Sequence, residues 1–444
     1  MNIFEFEEKY KDILENIEEW GYLRLKVAFI LKNKNNLNVH KNKNYKLFNY
    51  LSKIKNLFFG FSNWFYKYDY IFFSDSSERK IINNRYFDKI SDDIIDKLKT
   101  NVLLIENPTP NHFKNTYTKR VVSLTILEMF SFIIRKFVIL AYDKKLEKLL
   151  LNNNINIDLK KEIKYFKSKY LIYKLLFKIY KPNAIFINCA YCNPSLIKAA
   201  NDLKINTIEL QHGVISKVHF GYISSLNLNK TYFPKKLLSF GEQERKLENL
   251  LIEDVIPIGS FYLTYILKNN IKNNELKNIK KDYKVSIGIS MQDQDWEREL
   301  IFDFILKYNK KYKDTLFILI PRKRKDFPSF SKNVIVYDKL DCYNIILHCD
   351  IHMTLYSSCA LEAPTLGIPN ILVNKKNYAK NYYGDILDDF HTRFVNGIEE
   401  FRKYINDLLI LKKENIQIKN KDVFVPEYEK NILKFIEDLK QYDK

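Results

Sequence analysis

At 444 residues the chain is too long for one ordinary hydrophobic core and is expected to divide into two domains, each able to bury a sizeable interior. Hydrophobic residues at 46% and aromatic residues at 15% exclude disorder as the overall state. Lys and Arg number 73 against 53 acidic residues, a formal net charge of +20 whose long-range field favours anionic partners. The lysines are spread along the chain and form no compact cluster interleaved with aromatics, which argues against nucleic acid and for phosphorylated substrates or an anionic membrane surface.

In chain order, Met1-Asn2-Ile3-Phe4-Glu5 runs into charged residues with no apolar core segment, so no secretory leader is read there and a cytoplasmic location is expected. Asp69 to Ser74 is predicted as a strand entering the turn Asp75-Ser76-Ser77-Glu78-Arg79, and Val102 to Ile105 as another ending at Glu106. The longest apolar run, Val121 to Tyr142, carries Glu128, Arg135 and Lys136 near its middle; it is too charged to span a bilayer and reads as a buried helix. The five cysteines show no disulfide framework, in keeping with a reducing compartment. Cys189 and Cys192 form a C-x-x-C where a strand ends and Pro194 opens a helix, without the partners that a redox or zinc role requires. His348, Cys349 and His352 have metal-like types but straddle a helix end and a strand start, so no metal site is expected.

From Ala184 onwards short apolar runs alternate with helical stretches. The runs are Ala184 to Asn188, Asn206 to Leu210, Leu237 to Phe240, Val255 to Ile258, Val285 to Ser290, Thr315 to Ile320, Val334 to Tyr337, Ile351 to Leu355 and Asn370 to Val373. This alternation predicts an α/β protein with parallel sheets covered by helices on both faces, where ligands lie at the carboxyl ends of the strands. The polar, lysine-rich stretch 268–283 reads as a hinge between a domain spanning 1–267 and one spanning 284–423, and the end of the chain, 424–444, is helical after Pro426.

Three strand ends carry polar groups suited to chemistry. In Ile208 to Tyr222, I-E-L-Q-H-G-V-I-S-K-V-H-F-G-Y, a strand ends in Gln211-His212-Gly213, which sets His212 at its carboxyl end while Gly213 permits a turn that brings a ligand close. Such a histidine takes a proton from a hydroxyl or donates to phosphate oxygens; the plain alternative is an imidazole satisfied by carbonyls in a turn. Asp75 and Glu209 are the carboxylates able to compete as base, Glu209 the weaker of the two because alternation along a strand can turn it from the cleft, and His219 and Tyr222 would shape the pocket. Next, Val285 to Ser290 leads into Met291-Gln292-Asp293, where Gln292 can donate to a phosphate, and Thr315 to Ile320 leads into Pro321-Arg322-Lys323-Arg324-Lys325, cations that equally suit a solvated turn. Asp293 and Asp295 have D-x-D spacing but stand at a helix entrance.

The third is Asp350 to Val373, D-I-H-M-T-L-Y-S-S-C-A-L-E-A-P-T-L-G-I-P-N-I-L-V, a strand-turn-helix-turn-strand unit. Ser357 or Ser358 can cap the helix, and Gly367 with Pro369 stops it. Hydroxyls and backbone N–H groups there suit a phosphate, and Glu362, one turn in on the face of Ser358, can accept from sugar hydroxyls. Paired serines and an early Glu are also ordinary helix-start features.

The paired serines, the Ala-Leu-Glu-Ala helix and Leu-Gly-Ile-Pro resemble the nucleotide-binding region in the second domain of GT-B glycosyltransferases, particularly bacterial capsule and lipopolysaccharide enzymes and sialyltransferase-like relatives. The Leu-Gln-His-Gly pattern with a later His and Gly-Tyr resembles the first-domain loop of the capsule type, and Trp20-Gly21-Tyr22-Leu23-Arg24 resembles a segment near the start of some surface-polysaccharide transferases. The resemblance covers 184–373 and implies two Rossmann-like domains around a cleft, with the terminal helix crossing back to the first. It implies a nucleotide-sugar held by Ser357, Ser358, Glu362, Arg322 and Gln292, a glycan or lipid-linked glycan acceptor near Gly213, His219 and Tyr222, and His212 ahead of Asp75 as catalytic group. It further implies no metal, no cofactor beyond the donor, and work at the inner face of the cell membrane. Related enzymes carry His-Pro where this chain has Pro321-Arg322-Lys323, a departure that disfavours glycerol phosphate transfer from a CDP donor. A sugar-nucleotide epimerase of the same fold and a non-catalytic glycan- or membrane-binding assembly protein are the alternatives.

Overall fold

The computed structural model describes residues 1–34, 55–75, 79–82, 84–107, 116–269, 271–292, 295–322, 327 and 330–442. Of the positions singled out above, Ser76, Ser77, Glu78, Asp293, Lys323, Arg324 and Lys325 lie outside the described residues. The chain forms two compact units, one of Met1–Ser239, Leu247–Ile256 and Glu429–Lys444, the other of Phe240–Lys246 and Pro257–Tyr428.

In the first unit the strands are β1 (Tyr70–Asp75), β2 (Arg79–Ile82), β3 (Arg85–Asp88), β4 (Val102–Asn107), β5 (Val121–Ser123), β6 (Ala184–Ile187), β7 (Asn206–Leu210), β8 (Lys236–Ser239) and β9 (Asp254–Pro257). A seven-stranded sheet has the order β5-β4-β1-β6-β7-β8-β9, and β2 and β3 pair separately as an antiparallel hairpin. Parallel ladders link β5 through β8, with Phe72 opposite Phe186 and their rings stacked 4.3 Å apart. Such strands are buried on both faces, which is why they read as unbroken apolar runs. One face packs Ile71, Phe73, Leu103, Ile105 and Ile185 with Leu176 and Phe177 of the helix Leu159–Tyr180.

The second unit holds β10 (Val285–Ser290), β11 (Thr315–Ile320), β12 (Val334–Val336), β13 (Ile351–Thr354), β14 (Asn370–Val373) and β15 (Thr392–Val395), all parallel, in the order β12-β11-β10-β13-β14-β15. In each sheet the chain starts in the middle, builds one way and then returns to build the other. The strand order therefore switches between β1 and β6 and between β10 and β13, the places where ligands bind in open α/β sheets.

One expectation is corrected. The run Val121 to Tyr142 is not one buried helix: it gives β5, the helix Thr125–Ile134 and an irregular tail, because Ile126, Leu127 and Ser131 of that helix are buried and Met129 and Ile134 only partly covered by the core. Phe132, Ile133, Phe137 and Ile139 stay exposed. Within 268–283 the helix Asn274–Lys280 forms, capped by the Asn273 side chain and anchored by the buried Leu276, and this stretch belongs to the second unit. The helix Tyr428–Tyr442 joins the first unit from Glu429 on, where Phe435 meets the ring of Phe186 edge-on at 6.5 Å. Among the described residues no helix is long and apolar enough to cross a membrane.

Candidate functional site

At the carboxyl end of β7 the chain enters the loop 211–224. Gln211 is buried; its backbone N–H reaches Leu238 and its side-chain amide donates to the Gly213 carbonyl at 3.0 Å, which closes the turn that carries His212. The His212 Nδ1 is buried without a partner, and the ring lies 6.1 Å from that of Tyr191 and against the Cys189 thiol. Cys189, hydrogen-bonded to Cys192 and half-buried, is pushed above the ordinary thiol range while the His212 ring pulls the other way. Both cysteines are free. Tyr191 also meets His219 edge-on at 5.3 Å and Tyr222 at 5.1 Å, so the expected pocket residues do gather around one ring. Burial and the neighbouring His212 push His219 down to about 4, which keeps it neutral near pH 7.

Glu209 does not point away from this cluster. It is fully buried because the loops after β6 and β7 fold over it: its Oε1 accepts from the Ala190 N–H at 3.0 Å and from the Tyr222 hydroxyl at 2.7 Å, while Oε2 has no partner. Burial pushes its carboxyl up to about 7. Gly213 stands beside open space. Its φ is not positive and a Cβ there would meet nothing within 4 Å, so neither backbone conformation nor crowding demands the glycine. Crowding does demand Gly221, whose Cβ would stand 2.9 Å from the Tyr191 ring. Asp75 ends β1 in an exposed position, two strands from β7 in the sheet, about 10 Å at the usual strand spacing.

The segment Trp20 to Arg24 has a structural task in this region. Arg24, buried against Glu7 at 2.7 Å, donates to the carbonyls of Phe220 and Ile223, and Trp20 and Ser224 donate to the same Glu7 at 2.9 and 3.0 Å. One buried ion pair thereby holds both sides of the loop that presents His219 and Tyr222.

In the second unit, Gln292 follows β10 and Arg322 follows β11, and the guanidinium donates to Gln292 Oε1 at 3.4 Å. The other expected residues lie beyond β13, on the opposite side of β10. Ser357 is buried and its hydroxyl accepts from the Cys359 N–H at 3.3 Å; Ser358 occupies the cap position of the helix Cys359–Thr365 but its side chain makes no capping bond. The serine that engages the turn is therefore Ser357, and neither fills the usual capping role. Glu362 is buried. Its Oε1 accepts from the Tyr343 hydroxyl at 2.8 Å, and its Oε2 has no partner.

Glu297 has no signal in the sequence beyond an acidic residue in a helix's first turn. It is 3% exposed in the helix Asp295–Lys311, both of its carboxylate oxygens lack a hydrogen-bond partner, and burial pushes it up to about 7. It lines a small pocket with Ser290, Met291, Gln292, Thr354 and Tyr356, at the switch point between β10 and β13. Beneath lies a polar chain in which His352 donates from Nδ1 to Asn370 at 2.8 Å and accepts at Nε2 from Ser290 at 2.9 Å, assigned by the amide oxygen it faces. His348 accepts from the Asn273 N–H and Cys349 bonds to the Ile345 carbonyl, so the three metal-like residues are each engaged locally.

No protein-family model matches the sequence, and no curated protein matches it. Among solved structures the chain is similar to the glycotransferase of kitacinnamycin, at 9% identity over 85% of this chain and 99% of that one, with a TM-score of 0.53. It is similar to a structure described as a UDP-N-acetylglucosamine 2-epimerase from Listeria monocytogenes, at 9% identity over 84% and 96% with a TM-score of 0.52. It is also similar to the glycosyltransferase SnogD from Streptomyces nogalater, at 9% identity over 84% and 100% with a TM-score of 0.50. Identities this low speak for architecture alone, and the architecture is the GT-B one of two Rossmann-like domains.

Proposed function

We propose that the chain is a glycosyltransferase that moves a sugar from a nucleotide-sugar donor to a glycan or lipid-linked glycan acceptor in bacterial surface polysaccharide synthesis, of capsule or lipopolysaccharide. The observation that carries this reading is Glu362: a buried carboxylate with one oxygen held by Tyr343 and the other unpartnered, one turn into the helix after β13, where donor ribose hydroxyls would satisfy it. Ser357, Ser358, Gln292 and Arg322 take the phosphates, with Arg322 offering the fork that matches phosphate oxygens. Glu297, held largely protonated by burial below about pH 7, exchanges hydrogen bonds with hydroxyls of the transferred sugar.

In the transfer, the acceptor oxygen bonds to the anomeric carbon while the bond from that carbon to the phosphate oxygen breaks. The electron pair leaves with the nucleotide, and the hydroxyl proton passes to His212, with Asp75 the second candidate. Glu209 acts through Tyr222 and is a positioning residue. Arg322 supplies the positive charge that the departing phosphate needs, so the reading includes no metal and no cofactor beyond the donor. An epimerase of this fold would rearrange the sugar without any acceptor.

The test is thermal denaturation in the presence of CMP, CDP, UMP, UDP, GDP and dTDP, since a ligand of the folded state raises the midpoint by mass action. One nucleotide is expected to raise it, and Glu362→Ala and Glu362→Gln to abolish the rise. No rise with any nucleotide in well-folded protein would leave the non-catalytic assembly role ahead. Acceptor-independent rearrangement of a donor sugar would favour the epimerase.

A further inference from the structure

The first unit leaves large apolar side chains in solvent on neighbouring elements. After the helix Thr125–Ile134 the chain exposes 76% of Phe137 and 87% of Ile139, with Phe132 exposed at the helix end. Beside it, the helix Leu159–Tyr180 exposes Leu171, Leu175 and Ile179, the last by 66%, at spacings of four that align them in one stripe. Three contacts join these elements. Ser131 and Ser168 share a hydrogen bond of 3.0 Å, Arg135 lies 4.8 Å over the ring of Tyr165, and Lys167 donates to the Ala141 carbonyl at 3.1 Å. At the far end the Tyr180 hydroxyl bonds to the Trp64 carbonyl, which brings in Phe65, 77% exposed.

An apolar surface of this extent marks an interaction site. Its surroundings identify the partner. The sequence of the helix Leu159–Tyr180 holds seven lysines against one glutamate, and Arg135, Lys136, Lys144 and Lys145 border the exposed tail of the neighbouring helix. A second copy would set lysines against lysines. A bilayer with acidic headgroups instead receives the apolar side chains between its acyl chains and the lysines at its anionic surface.

We propose that this face docks on an anionic lipid bilayer, inserting Phe132, Phe137, Ile139, Leu175 and Ile179. The inference is independent of the transferase reading, since it uses none of the strand-end residues. The experiment is flotation of the full chain with vesicles of phosphatidylcholine alone and of phosphatidylcholine mixed with phosphatidylglycerol. The chain is expected to float with the mixed vesicles, less so as salt rises. The double variant Phe137→Ser, Ile139→Ser is expected to weaken binding about tenfold or more at an unchanged melting midpoint. Lys161→Glu should weaken it roughly fivefold or more. Ile410→Ser, at an exposed position of the second unit, should bind as the wild type does. Failure of the wild type to float with mixed vesicles, or undiminished flotation of the double variant, overturns the proposal. So does a fall in molecular mass by light scattering in the double variant with flotation unchanged, which would mark a self-association face.

Discussion

The loop that carries His212 and the strand ends that carry Glu297 and Glu362 are built in opposite ways. In the first unit the loop is clamped from both sides: Arg24 grips its backbone carbonyls and Glu7 the Ser224 hydroxyl, three aromatic rings lock around Tyr191, and Glu209 takes two hydrogen bonds on one oxygen, leaving its Oε2 and the His212 Nδ1 unpartnered. In the second unit, Gln292 and Arg322 meet through one long bond, Glu362 is half satisfied and Glu297 is not satisfied at all among the described residues. Buried polar groups in folded proteins are normally bonded, so a run of unfilled acceptors at a switch point is what a bound polar ligand completes, whereas a clamped loop is what a reacting group needs to be held in place.

The strongest way to break the clamp is Arg24→Ala. It strands the Glu7 carboxylate in a buried site and frees the Phe220 and Ile223 carbonyls, at a cost of about 3–5 kcal/mol. A fall of roughly 10 °C in the melting midpoint is expected, and a fall of only a degree or two would show that the ion pair does not hold the loop.

The two buried glutamates sharpen the contrast. Glu209→Ala leaves the Ala190 N–H and the Tyr222 hydroxyl without an acceptor, for about 2–3 kcal/mol of lost stability. Glu297→Ala strands no described donor and, near pH 5 where the carboxyl is protonated, is expected to stay within about 1 kcal/mol of the wild type. Glu297 is pushed up from 4.5 to about 7, so the fold favours its protonated form. Its contribution is fully present below about pH 4.5 and is lost as pH rises through about 7, because the folded state binds the extra proton in that window. The midpoint of Glu297→Ala relative to wild type should therefore climb between about pH 5 and about pH 8. A flat difference across that range would show that the carboxyl has a solvent or cation partner.

How much of this was legible in the sequence follows from what each element buries. β7, β10, β11 and β14 were readable to the residue because a central parallel strand is apolar on both faces and its turns are polar. β2, β3, β5 and β15 were not: the hairpin strands each carry two charges in four residues, β15 is four residues broken by Arg393, and β5 is hidden at the start of a longer apolar run. At the site, His212 and Glu362 were legible from strand-end position and helix spacing. Glu209 was underrated because alternation along a strand says nothing of loops that fold over its end, and Glu297 was missed because nothing in a helix's first turn distinguishes a solvated acid from a buried one. The exposed face around Phe137 was misread as core, since composition gives apolar content but not whether a neighbour covers it.

The finest distinction falls on two glycines of one loop. Gly221→Ala drives a methyl group to 2.9 Å from the Tyr191 ring and 3.0 Å from His219, so the clamp must open and about 1–3 kcal/mol is lost. Gly213→Ala points into open space beside His212, so its stability should match the wild type within about 0.5 kcal/mol. If a substrate occupies that space, the same methyl group displaces it from His212 and turnover falls about tenfold or more at an unchanged melting midpoint. Turnover that is lost with Gly221→Ala yet untouched by Gly213→Ala would mean that the loop matters for folding and that the reacting hydroxyl approaches His212 from another side.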